Sequence, residues 1–106
     1  MPNTLARLEA TIRGRRGVDP AGSYTASLFD EGRAAIARKL GEEALETVIA
    51  ALGDDRDALT CEAADLLYHL LVLLADAGIP LADILAELDR REGVSGLDEK
   101  AVRTKT

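Results

Sequence analysis

The chain has 106 residues, 47% hydrophobic and 30% charged, with 3% aromatic and no Trp. That describes one globular domain with an aliphatic core of Leu, Ala, Ile and Val, a composition that favours helix–helix packing over a sheet. A formal net charge of -6 excludes a basic nucleic-acid-binding face but leaves room for a phosphorylated small molecule brought in with a divalent cation.

Residues 4–16 carry Leu5, Leu8 and Ile12 at spacings of three and four, which predicts a first helix capped by Asn3 or Thr4. It is amphipathic and interrupted by charge, unlike a signal peptide. Gly14 and Gly17 end it, VDPAGS reads as a loop, and Arg13, Arg15 and Arg16 leave a small basic patch. Ser23, Tyr24 and Thr25 open a short helix with Leu28 and Phe29 that closes at Gly32. Residues 32–52 predict a long helix whose apolar face takes in Ile36, Leu40, Ala44, Leu45, Val48, Ile49 and Leu52.

GDDRD at 53–57 is a helix stop followed by a start, with Asp54 or Asp55 as the next cap and Gly78 as the next stop. Within that fourth helix, residues 66–75 are apolar nearly all the way round yet include Tyr68 and His69, and the run is too short to cross a bilayer. So small a chain hardly surrounds such a helix, so burial between subunits is expected. Pro80 precedes a fifth helix through Leu81, Ile84, Leu85 and Leu88 to about Arg91. The segment REGVSGLDEKAVRTKT holds at most a short helix that frays at its end. Cys61 is the only cysteine, which excludes an intramolecular disulfide and suits a cytoplasmic protein; it reads as a small packed residue.

The chemistry is concentrated between Lys39 and Asp65. Glu43 with Glu46, and Glu62 with Asp65, are carboxylate pairs three apart, and each pair shares one helix face. Glu42 extends the first pair. An isolated E-x-x-E is close to noise, but two on consecutive helices gather like charges that repel unless a cation sits among them. All-oxygen ligands suit Mg²⁺ or Mn²⁺. A di-iron site would need Glu-x-x-His on two helices, and the single histidine, His69, has the wrong spacing from Asp65. His69 reads as a satisfied core residue. The reaction that follows is attack of water on phosphorus, the water being activated by the metal or by a spare carboxylate.

These residues resemble a known family. The spacing E-E-x-x-E…E-x-x-D is similar to that of the all-α, MazG-type nucleotide pyrophosphohydrolases. Ser23, Tyr24, Thr25, Leu28, Gly32, KLGEEALE at 39–46, EAADLLYHLLVLL at 62–74 and REGVSGLDEKAVR at 91–103 resemble the phosphoribosyl-ATP pyrophosphatase family over nearly the whole chain. The resemblance implies Mg²⁺-dependent hydrolysis of phosphoribosyl-ATP to phosphoribosyl-AMP and pyrophosphate, the second step of histidine biosynthesis. It places Glu43, Glu46, Glu62 and Asp65 at metal-ligand positions, and Glu42 as a further ligand or a base that orients water. Lys39 is placed to meet a phosphate oxygen, Arg16 and Arg33 are further phosphate candidates, and Tyr24 and Thr25, with Ser23, are placed to bind substrate.

The implied fold is all-α: a MazG-like helical bundle of about five helices per chain, completed by homodimerisation, with the acidic site in a cleft near the subunit interface. A single domain over residues 1–106 corresponds to the stand-alone form, without a phosphoribosyl-AMP cyclohydrolase domain. No nucleic-acid or membrane partner is expected. Three other readings stay open: a related pyrophosphatase acting on another nucleoside triphosphate, a non-catalytic helical dimerisation module with an acidic patch, and, more weakly, a di-iron protein.

Overall fold

A computed structural model of the chain describes residues 3–92, which form five α-helices and one 3-10 turn with no strand among them. The helices are α1 (Thr4–Gly14), α2 (Tyr24–Glu31), α3 (Arg33–Ala51), α4 (Arg56–Ala77) and α5 (Leu81–Arg91), with the turn at Pro20–Gly22 between α1 and α2. This is the all-α, five-helix architecture expected of a MazG-like bundle. The expectation for the 91–103 block falls, from residue 93 onward, outside the described residues.

Local chemistry sets most of the boundaries. The Ser23 hydroxyl accepts from the Ala26 amide at 3.1 Å, and Asp55 accepts from the amides of Asp57 and Ala58, so each satisfies donors that a helix start leaves open. Gly32, at φ 98°, lies between α2 and α3, and Gly78, at φ 73°, closes α4 in the left-handed conformation; both angles favour glycine. Two expectations need correction. Asn3 stands at the N-cap of α1 but its side chain makes no cap bond, and the Thr4 hydroxyl accepts from Arg7 instead. The expected loop at 18–23 contains a 3-10 turn, because Pro20 pre-sets φ and the Asp19 carboxylate accepts from the Ala21 amide.

α3 and α4 run antiparallel: Arg33 meets Asp76 at one end of the pair, and Thr47 meets the Glu62 carbonyl nearer the other. The buried core, Ile12, Leu28, Ile36, Leu71, Val72, Ala75 and Leu81, draws on all five helices but lies towards the first of these ends. There α1, α2 and α5 surround the pair. At the other end α3 is covered by little except α4. Leu45, Val48, Ile49 and Leu52, expected in the apolar face of α3, are therefore exposed, Leu52 at 84%. The radius of gyration, 16.0 Å, exceeds the roughly 13 Å of a compact domain of this length, as an outlying helix pair requires.

Candidate active site

The acidic residues lie where the covered and uncovered parts of the α3–α4 pair meet. Glu43 and Glu46 project from α3, Glu62 and Asp65 from α4. The Thr47 hydroxyl lies 2.8 Å from the Glu43 carbonyl and 3.2 Å from the Glu62 carbonyl, which ties the two helices together at this level. Glu43, Glu62 and Asp65 each offer a carboxylate oxygen, and these oxygens lie within 4.8 Å of one another. Glu43 is only 6% exposed. One oxygen of Glu43 and one of Glu62, both Oε2, are buried with no hydrogen-bond partner. Unpaired buried carboxylate oxygens are costly, and a cation among them removes the cost. The donor set is all oxygen and suits a hard divalent ion such as Mg²⁺.

Around that core the other residues sort by position. Glu46 is exposed and lies against Glu43; a hydrogen bond with Glu43, then the Glu43 charge, hold its carboxyl above the ordinary value. Lys39 Nζ is 3.5 Å from Glu43 and 3.7 Å from Glu42, so it spans the buried carboxylate and the exposed one. The Tyr24 phenol, then Glu43 and Glu42, hold the Lys39 ammonium above its ordinary value. Tyr24 is 54% exposed, yet its hydroxyl end is sheltered 3.0 Å from His69 Nε2, and that desolvation raises the phenol. His69 Nδ1 lies 2.7 Å from the Asp65 carbonyl, which can only accept, so in the neutral ring Nε2 accepts from Tyr24. His69 is thus the satisfied, buried histidine expected. The Thr25 hydroxyl bonds the Tyr68 hydroxyl, and the Tyr24 and Tyr68 rings stack at 6.2 Å.

Residues 5–92 match the family model for phosphoribosyl-ATP pyrophosphohydrolase. A protein of Rhizorhabdus wittichii named phosphoribosyl-ATP pyrophosphatase is 65% identical over 105 residues, 99% of each chain. Proteins of the same name from Erythrobacter litoralis, 60% identical over 95% of this chain and 97% of its own, and Dinoroseobacter shibae, 57% identical over 95% and 99%, align as fully. The chain belongs to the phosphoribosyl-ATP pyrophosphohydrolase family. It is therefore a hydrolase.

Set against that family, the described residues divide the expected site in two. Glu43, Glu46, Glu62, Asp65, Lys39 and Glu42 cluster, with Tyr24 and Thr25 beside them on α2. Arg16 and Arg33 do not join them. Both pair with Asp76, at 3.4 and 2.5 Å. Asp76 lies further along α4 than Asp65 by about 16 Å, at about 1.5 Å per residue. Arg16 also lies over the Phe29 ring at 4.9 Å. Cys61, expected to be packed, is exposed, because it points about 100° away from the face of α4 that carries Glu62. Gly41 has nothing within 4 Å of where a Cβ would stand. Thr47 and Asp76 were not singled out by sequence reasoning. Thr47 lies four residues after Glu43 on one helix face, a signal present in the sequence, whereas the partners of Asp76 are remote in it.

Proposed function

We propose that the protein hydrolyses phosphoribosyl-ATP to phosphoribosyl-AMP and pyrophosphate with Mg²⁺, in histidine biosynthesis, as a single-domain cytoplasmic homodimer. The observation that carries the metal is that Glu43 and Glu62 each bury an unpartnered oxygen, while each also offers, with Asp65, a carboxylate oxygen to a set lying within 4.8 Å of one another. Glu43, Glu62 and Asp65 would hold the ion, with Glu46 completing the set from the solvent side. Bound there, Mg²⁺ supplies charge neutralisation for the triphosphate and polarises its phosphoryl oxygens.

The chain's own groups do the rest. Lys39, protonated and anchored by Glu42 and Glu43, offers its remaining donors to a phosphate oxygen. Glu42, exposed at the rim, orients and deprotonates the attacking water. Tyr24, fixed by His69 and stacked on Tyr68, presents a half-exposed ring to the substrate beside Thr25. Arg16 and Arg33, both held by Asp76, brace the end of the bundle away from the acidic cluster.

Dimerisation is supported by Leu45, Val48, Ile49 and Leu52, a stripe at helical spacing that no described residue covers. It adjoins Glu46, so a partner subunit there walls the acidic site.

Turnover of phosphoribosyl-ATP measured beside dCTP and dUTP tests the substrate, and faster hydrolysis of the deoxynucleotides would overturn it. Asp65→Asn is expected to abolish most turnover with helix content unchanged; near-normal rates in that variant would refute the site.

A further inference from the structure

α2 and α3 enclose a groove of about 250 Å³ lined by Tyr24, Leu28, Glu31, Ala35, Arg38, Lys39 and Glu42. Ligand pockets commonly reach about 300–1,000 Å³, so this groove takes part of a ligand and not the whole. Its Lys39 and Glu42 wall borders the acidic cluster, because Lys39 also reaches Glu43 at 3.5 Å. From there it leads away along α3 towards Ala35 and Glu31. A triphosphate held at the carboxylates would therefore extend its nucleoside end into the groove, past the Tyr24 ring.

Arg38 lines this path. Glu42 follows it by one helical turn and Glu31 faces the same groove, yet Arg38 has no ion-pair partner among the described residues; Glu42 is taken by Lys39. A free surface arginine is ordinary, but one on the wall of a groove that continues an acidic site is a cation without a ligand. Arg38 is about 7.5 Å along the α3 axis from Glu43, and it points about 100° away from Lys39. It is therefore set back from the acidic cluster, on the stretch of groove that leads away from it.

Resting on the function proposed above, we infer that Arg38 is a specificity-determining residue that binds the phosphate of the phosphoribosyl group. That phosphate is the anion by which the substrate differs from ATP at this end. A guanidinium grips a phosphate through two parallel hydrogen bonds, which suits the terminal group of a long substrate. Discrimination against ATP then comes from a charge that ATP leaves unpaired, the arrangement by which a polar site rejects a ligand lacking its partner.

The test compares phosphoribosyl-AMP with AMP, which lacks the phosphoribosyl group, by calorimetry on the full-length wild type, Arg38→Gln and Arg38→Lys. The wild type is expected to bind phosphoribosyl-AMP more tightly than AMP. Arg38→Gln should lose about tenfold to a hundredfold for phosphoribosyl-AMP and little for AMP, and Arg38→Lys should recover part of the loss. Equal losses for both ligands, or no loss for either with native helix content, would overturn the assignment. A wild type that hydrolyses phosphoribosyl-ATP but binds phosphoribosyl-AMP and AMP alike sinks this inference alone. A wild type that does not hydrolyse phosphoribosyl-ATP sinks the proposed function and this assignment with it.

Discussion

Replacing Glu43 with Gln should make the metal-free protein more stable while removing its activity. Oxygens of Glu43, Glu62 and Asp65 lie within 4.8 Å of one another. Two unit charges at that separation repel by about 3.5 kcal/mol at an effective dielectric of about 20. Asp65 is exposed and Glu62 only partly buried, so screening reduces the relief to about 1–2 kcal/mol. Against it stands the Lys39–Glu43 pair at 3.5 Å, a half-exposed ion pair that contributes about 0.2–1 kcal/mol. The balance favours the variant by about 1 kcal/mol, or about 4–8 °C in a domain of this size. Thermal melts in EDTA at fixed protein concentration measure it. With Mg²⁺ at about 100 times its Kd the wild type gains about 2.7 kcal/mol by mass action, and the variant, having lost a buried ligand, gains much less. The order of melting should therefore reverse between EDTA and Mg²⁺. A Glu43→Gln protein that melts below wild type in EDTA would show that Glu43 is a structural partner and not one of a set of repelling ligands.

Three other perturbations test separate parts of the structure. Glu46 is held above its ordinary value chiefly by Glu43, so a proton favours the folded, metal-free site; its contribution to stability is present below about 4.5 and lost as pH rises through the raised folded value. Mg²⁺ competes with that proton, so its affinity should rise with pH across this window and its binding should release protons; calorimetric heats that do not depend on the ionisation enthalpy of the buffer would refute this. Asp76, whose side chain is 10% exposed, is shared by Arg16 and Arg33, so Asp76→Ala should cost about 1–3 kcal/mol in urea unfolding; an unchanged midpoint would mean that the three charges are not coupled in solution. Ile49→Glu places a charge in the exposed stripe on α3 and should give monomers by sedimentation with helix content intact; a dimer that persists would move the interface elsewhere.

What was legible in the sequence was local. Ser23, Gly32, Asp55 and Gly78 each set a helix boundary through their own backbone or side chain, so the five helices could be placed without knowing their neighbours. The carboxylate pairs were legible for the same reason: a spacing of three fixes a shared face, and a short turn between helices brings two such faces together. What escaped depended on which partner a face meets. Leu45, Val48, Ile49 and Leu52 have the right period for a core, but period gives the apolar side of a helix and not the length over which it is covered. α1, α2 and α5 cover only the end of α3 that carries Ile36, so the rest of the stripe remains outside. Arg16 and Arg33 read as phosphate cations until Asp76 appears between them, a meeting of three remote segments that no local pattern encodes. Glu43 marks the boundary between the two regimes. It lies one turn beyond Leu40, deep enough to be desolvated and close enough to the uncovered end for Glu46 to remain in water. A site with one wall inside the bundle and the other at the exposed stripe holds Glu43 in the interior and leaves Glu46 and Asp65 open to a ligand. On the function proposed above, a second subunit seated on the same stripe would complete the wall, and assembly and substrate access would then be set by adjacent turns of a single helix.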